Sequence, residues 1–330
     1  MADAPSGVRA ETSRPEPAAF ALKQLKRFRQ NVETALETGG VDAVHDLRVA
    51  SRRLNEPLML MQEVLDDGSS RSARRQLRRL RRAFRRVRDL DVLRASLHEE
   101  PIEPRLASHD LTGLVALLDA ERDRAIKKAQ RKCRRLDHAG ADRLVRRQCV
   151  KWPDDEDAQS QFRARLVELW TRRIEALQQL DPRRQGMSDL HPARIAVKKL
   201  RYCTELLDRV APPADDILMR ELTTMQSLLG HWNDLVAAAR RIARVAARRT
   251  HLAARPGWSA RLMEHATARV RAADEDRRRI ADGWPALDAA IANALREHAN
   301  PPIATAAASA EAPPADEATS PSAASSGDGA

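Results

Sequence analysis

The chain has 330 residues, a formal net charge of +11, 42 % hydrophobic residues, only 3 % aromatic residues and 12 glycines. Alanine, leucine and arginine form helices well, whereas aromatic and β-branched strand formers are scarce, so the composition disfavours sheets and points to an all-α protein. No stretch approaches the ~20 apolar residues of a membrane span, no apolar run marks a secretory signal, and Cys133, Cys149 and Cys203 lack metal-ligand spacing, which suits a reducing, cytoplasmic setting.

Residues 1–17, rich in Pro, Ser and Ala, read as a disordered tail, and so do the Ala/Pro/Ser-rich residues 301–330. The second tail contributes −4, so residues 1–300 carry +15 against a whole-chain +11. A surplus of that size calls for a polyanionic partner. Between the tails the apolar periodicity predicts helices over 18–38, 42–66, 70–98 and 108–137, then over 158–180, 189–210, 214–249 and 257–298. Trp284-Pro285 is a candidate break in the last. Gly39-Gly40, Asp66-Asp67-Gly68, Pro101 and Pro104, Trp152-Pro153, Asp181-Pro182, Pro212-Pro213 and Pro256-Gly257 separate them. Residues 138–157 read as a connector between halves of about 18–150 and 151–300.

The two sets of four share a repeated element. His45 to Leu54 reads HDLRVASRRL, and His191 to Leu200, 146 residues later, reads HPARIAVKKL. A second match, Val87-Arg88-Asp89-Leu90 with Trp232-Asn233-Asp234-Leu235, recurs at 145 residues. A repeat constrains architecture before anything else does. It predicts two four-helix bundles related by internal duplication, with a pseudo-twofold axis between them.

Asp42 and Ser188, each three residues before a histidine, are expected N-caps that put both histidines in a first helical turn. At about 100° per residue, His45, Arg48 and Arg52 share one face. Leu47, Ala50, Leu54, Leu58, Met61 and Leu65 take the opposite, core-facing side. In the second copy His191, Arg194, Lys198 and Arg201 lie opposite Ala193, Ala196, Leu200 and Leu207, while Arg53 and Lys199 flank the two stripes. Like charges one turn apart cost a helix ~0.2–0.5 kcal/mol, and cations near an N-terminus oppose the dipole. An anion on that surface reverses both penalties. Arginine supplies forked donors, lysine a point charge, and histidine a donor whose pKa rises beside an anion. A solvated basic face explains one such run well and two matched copies poorly. A histidine–metal site is disfavoured, because the adjacent arginines repel a cation and no carboxylate set completes a shell.

The third predicted helix crowds ten arginines into residues 71–88 around an apolar seam of Leu77, Leu80, Phe84 and Val87. Its stripe of Arg71, Arg74, Arg78, Arg82 and Arg85 is expected to extend the anion surface, with Arg78, Arg82 and Arg85 as candidate contacts. Some of these arginines instead cover apolar surface with their stems. Asp89 and Asp234 read as structural acids that orient arginines.

The repeated H-x-x-R-h-A-x-[RK]-[RK]-L element, followed by Arg88-Asp89-Leu90-Asp91-Val92, resembles the CHAD (conserved histidine α-helical domain) family over about residues 18–300. The resemblance implies an all-α pair of four-helix bundles that binds inorganic polyphosphate and associates with polyphosphate granules. It implies binding by His45, Arg48, Arg52, Arg53, His191, Arg194, Lys198, Lys199 and Arg201, with no cofactor. Three departures stand out. Asn55 replaces an arginine, which implies a weaker grip by the first half. Pro57 falls within an apolar helical pattern, where a kink is expected. Arg85 replaces a glycine that the second half keeps as Gly230. Many relatives carry an N-terminal triphosphate-tunnel domain; only 17 residues precede the first predicted helix here, and no E-x-E-x-K strand is present. No paired catalytic carboxylates, P-loop or R-H-G motif occurs either, so the expectation is a binding protein rather than an enzyme. The alternative, a nucleic-acid-binding protein, is permitted by charge alone, although one Tyr, four Phe and five Trp make poor stacking platforms. Phosphotransfer through His45 or His191 lacks a general-base partner at either site.

Overall fold

A computed structural model describes residues 16–65, 68–99, 102–103, 105–150, 156–183, 189–210 and 216–299. Both expected tails lie essentially outside these residues. The described chain is helical: α1 (Glu16–Glu37), α2 (Val41–Leu65), α3 (Gly68–Glu99), α4 (Ser108–Arg134), α5 (His138–Val150), α6 (Glu156–Gln178), α7 (His191–Val210), α8 (Asp216–Ala246), α9 (Arg249–Ala254) and α10 (Pro256–Ala299). No strand occurs among the described residues.

Three expectations are corrected. The connector 138–157 is helical over α5, which packs on α1 and α3 and buries Val145 and Cys149. Asp137 accepts the Gly140 N–H at 2.6 Å at its start, a local stop-and-restart that resembles a loop in sequence. A six-residue helix, α9, stands between α8 and α10. Finally, α10 runs unbroken through Trp284-Pro285. Trp284 is buried and Pro285 exposed, so the carbonyl that proline deprives of a partner lies toward water, while the apolar face continues. Pro57 likewise sits inside α2 without ending it.

In the first set α1 packs on α2, α2 on α3, α3 on α4 and α4 on α1. In the second, α6 packs on α7, α7 on α8, α8 on α10 and α10 on α6. Between the sets α2 meets α7 and α3 meets α8, with α1 against α7 and α2 against α6. The expected apolar faces are where the packing occurs: Leu47, Ala50, Leu54 and Leu58 of α2, Leu77, Leu80, Phe84 and Val87 of α3, and Ala193, Leu200 and Leu207 of α7 are buried. The side chains of Met61 and Leu65 lie outside the described set.

Two apolar clusters result. The larger extends through both sets. The smaller joins Leu90 and Leu93 of α3 and Leu114 and Leu118 of α4 to Ala238, Ile242 and Val245 of α8 and Trp258 and Leu262 of α10. Polar ties reinforce this second junction. Arg261 of α10 donates from Nε and Nη2 to Asp110 of α4 at 2.6 and 2.9 Å, and these bonds hold the Asp110 carboxyl below its ordinary range.

The start of α2 is fixed separately. Gly39 has φ +61°, and a Cβ there would stand 2.6 Å from Ile126 of α4, so glycine is required for both conformation and space. Its carbonyl accepts a bond from Arg122 Nη2 at 2.9 Å, and the same guanidinium pairs with buried Asp91 of α3. This joint sets where the HDLR segment begins.

Candidate functional site

A cleft of about 930 Å³ opens between α2, α3, α7, α8 and α10. Its floor is the seam of α3 and α8, where Leu90, Leu93 and Ala238 belong at once to the cleft and to the smaller apolar cluster. Ten arginines and both repeat histidines line it, against four aspartates. That imbalance gives a strongly positive concavity with low-dielectric walls, the arrangement that concentrates anions.

Six of the residues expected from sequence meet there: His45, Arg48, Arg52, His191, Arg194 and Arg85. Arg53, Lys198, Lys199, Arg201, Arg78 and Arg82 do not line the cleft. Arg201 is engaged elsewhere: its Nε donates to Gln226 Oε1 at 2.9 Å, its Nη1 lies 3.9 Å from Glu205, and its guanidinium stacks 4.6 Å from the Tyr202 ring centre. Lys198 stands 5.9 Å over the same ring. Lys199, Arg78 and Arg82 are exposed.

Arg86, Arg88, Arg240, Arg241, Arg244 and Arg277 line the cleft without having been singled out for binding. A signal existed for two groups of them. Arg88 is part of the repeated R-D-L segment. Arg241 lies seven residues past Asp234, two helical turns along the same face. Arg277 of α10 had no sequence signal.

The helix starts differ from expectation. Asp42 is inside the first turn of α2 rather than before it; the Gly40 carbonyl accepts the Val44 N–H, and the Gly40 N–H is taken by Thr38 Oγ1 at 3.1 Å. His45 therefore falls beyond the first turn. In α7 His191 is the first residue, and Asp189 Oδ1 accepts its N–H at 3.0 Å. Asp189 thus takes the role assigned to Ser188, which lies outside the described residues. A glycine start was hidden because Asp is itself a good cap two positions later.

The cations are partly desolvated and crowded. Arg48 Nη1 donates to the Arg81 carbonyl at 2.8 Å while Arg81 Nη1 donates to the Ser51 carbonyl at 2.8 Å, a reciprocal clamp between α2 and α3. Burial, and then the charge of Arg52, pull Arg48 down to about 10. Arg52 is lowered by burial first and then by Arg194, Arg88 and Arg53, with Tyr202 opposing. Burial and Arg88 push His45 below its ordinary value against the opposite pull of Asp46 and Asp42. Without an anion His45 is therefore neutral at pH 7, and the rise expected of it requires an occupant. Asp89 is raised chiefly by desolvation and by Asp234, despite Arg85, Arg48 and Arg86, and Arg85 stands 3.7 Å from it.

Half of the arginines are unpaired. Arg52, Arg88, Arg194, Arg240 and Arg244 have neither a hydrogen-bond nor an ion-pair partner among the described residues. Arg52 is half-buried, with its Nε closed off from solvent and unsatisfied. Buried donors without acceptors cost ~1–3 kcal/mol, more when charged, a cost at Arg52 that an anion accepting its bonds would offset. Among the described residues no group of three His, Cys, Asp or Glu side chains is placed to hold a metal ion.

A family model for the CHAD domain matches residues 19–243. The chain belongs to the CHAD domain family. The CHAD fold is seen also in solved structures. The crystal structure of the CHAD domain from the plant Ricinus communis is 20 % identical, with a TM-score of 0.60, over 86 % of this chain and 96 % of that one. PptA from Streptomyces chartreusis is 19 % identical, with a TM-score of 0.55, over 84 % of this chain and 98 % of its own. At such identity the likeness establishes the fold. No curated protein sequence matches the chain. The CHAD match stops at residue 243, yet α10 beyond it supplies Asp274 and Arg277 to the cleft. No helix among the described residues is long and apolar enough to cross a membrane.

Proposed function

We propose that the protein binds inorganic polyphosphate, without turning it over, in the cleft between α2, α3, α7, α8 and α10. The observation that carries this reading is Arg52, a half-buried guanidinium without a partner at the meeting point of the two repeat helices. Arg88 and Arg194 beside it are unpartnered as well, and an extended row of phosphates supplies acceptors to several forks at once. A compact monoanion would satisfy one. Among the described residues Trp232 alone of the Phe, Tyr and Trp side chains lines the cleft, so base stacking has little to work with.

On the same reading the domain spans residues 18–300 as two duplicated four-helix units. The packing scheme supports it: exchanging α1 with α6, α2 with α7, α3 with α8 and α4 with α10 leaves the contacts within and between the sets unchanged. The site then lies on the pseudo-twofold axis, where each half contributes one helix carrying the repeated histidine motif. A cytoplasmic location, on polyphosphate granules, follows from the ligand.

Competition tests the assignment. Long-chain polyphosphate and duplex DNA, matched in phosphate, are titrated against the protein at low and at physiological salt. Polyphosphate is expected to retain its advantage at physiological salt. DNA competing equally there replaces this reading with backbone-type nucleic-acid binding.

A further inference from the structure

Glu121 of α4 does not line the cleft, yet its carboxylate takes two of the cleft's guanidinium groups at once. One oxygen pairs with Arg86 of α3 and the other with Arg241 of α8. These arginines come from the two helices whose seam forms the floor. Glu121 is 15 % exposed and Arg241 14 %, and the Arg241 Nε is sealed off without an acceptor. Arg244 stands close enough to Arg86 to depress it, after burial and Arg241, and Arg248 adds to the effect. Arg244 has no partner of its own among the described residues. One carboxylate therefore serves a cluster of cations, in the manner of an anion that the protein brings itself.

We infer that the Glu121 carboxylate, from outside the cleft, holds two guanidinium groups of its α3/α8 floor that a phosphate would otherwise take, and so limits how many contacts a bound phosphate chain makes. The inference rests on the polyphosphate reading of the cleft. A phosphate and a carboxylate compete for the same forked donors. Glu121 is tethered beside them, so its effective concentration exceeds that of any chain segment arriving from solution. Arg86 and Arg241 are in this way withheld from the ligand while keeping their place. Neutralising Glu121 with an isosteric amide leaves both free to pair with a phosphate.

The experiment is the salt dependence of long-chain polyphosphate binding for wild type, Glu121→Gln, Glu121→Asp and the triple variant Glu121→Gln/Arg86→Gln/Arg241→Gln, each checked by thermal melting. The slope of log K against log salt counts phosphate contacts, at about 0.7 per contact for a single-stranded polyanion. Glu121→Gln is expected to steepen it by about 1.4, two contacts at about 0.7 each. Glu121→Asp keeps the wild-type slope, and the triple variant loses the gain. An unchanged or shallower slope in Glu121→Gln overturns the inference, and so does a gain that survives in the triple variant. A Glu121→Gln protein that fails to fold overturns it too, because the carboxylate then ties helices together. If wild type itself does not bind, the polyphosphate reading falls and takes this inference with it; if wild type binds and the slope stays put, the inference falls alone.

Discussion

The two helices with the repeated histidine motif carry nearly the same residues at the same spacing and yet do different things. In α2 the stripe points into the cleft, with Arg48 clamped to the Arg81 carbonyl and Arg52 half-buried and unpaired. In α7 only His191 and Arg194 reach the cleft, while Lys198 and Arg201 are drawn to Tyr202 and Gln226. The reason lies in two substitutions between the copies. At the repeat offsets, Asn55 of α2 corresponds to Arg201 of α7, and Arg81 of α3 to Gln226 of α8. Each half keeps one arginine in that position pair, on opposite helices. The first half uses it to tie α3 to α2 through the Ser51 backbone carbonyl, the second to tie α7 to α8 through a side-chain amide. A repeat preserves the number of ties while letting the cleft-facing charge differ, so equivalent sequence positions are not equivalent positions in the cleft.

The largest expected effect breaks that comparison at its centre. Arg52→Ala should weaken polyphosphate binding roughly 10- to 100-fold, the range of one charged hydrogen bond at about 1.5–3 kcal/mol, and more than Arg194→Ala measured in the same titration. Equal losses would make the two stripes interchangeable. For the same reason Arg48→Ala with Arg194→Ala should cost more than His45→Ala with His191→Ala, since arginine carries its charge at every working pH.

A smaller effect concerns pH. Because His45 is lowered in the fold, its protonation disfavours the folded state. That penalty is absent above about pH 6.5 and grows as pH falls below this unfolded value. Melting of the ligand-free protein should therefore soften from pH 7 to pH 5, and polyphosphate should restore more stability at the lower pH. In His45→Gln the pH dependence of that restoration should diminish; an unaltered profile assigns the proton elsewhere. The smallest effect is expected from Arg201→Ala and Lys199→Ala, which should each change affinity by less than about threefold, because neither lines the cleft and exposed Lys199 is a screened surface charge. A tenfold loss at either position would bring the second stripe back into the binding surface.

The helical class and the apolar faces of α2, α3 and α7 were legible because core packing imposes a period that the order of residues displays. The pairing of His45 with Arg48 and Arg52 on one face was legible for the same reason. Lining by Arg240, Arg244 and Arg277 was not, since it depends on where α8 and α10 cross α3. Nor was the absence of Lys198 and Arg201 from the cleft lining, where Tyr202 and Gln226 offer nearer partners. Helix α5 escaped because Gly140 and its polar flanks mimic a connector, and its start is made by a side chain, Asp137, rather than by a pattern.

Leu90, Leu93 and Ala238 face two ways, into the cleft and into the smaller apolar cluster. The distance between the arginine row of α3 and that of α8 is thus a matter of hydrocarbon volume. Close-packed interiors have no slack at the scale of a methylene, so a bulkier or slimmer side chain beneath the seam changes the gauge of the charges above it. The rows behave like rails on common sleepers. On the polyphosphate reading, the polymer repeat they would fit is tuned from beneath, by residues that carry no charge.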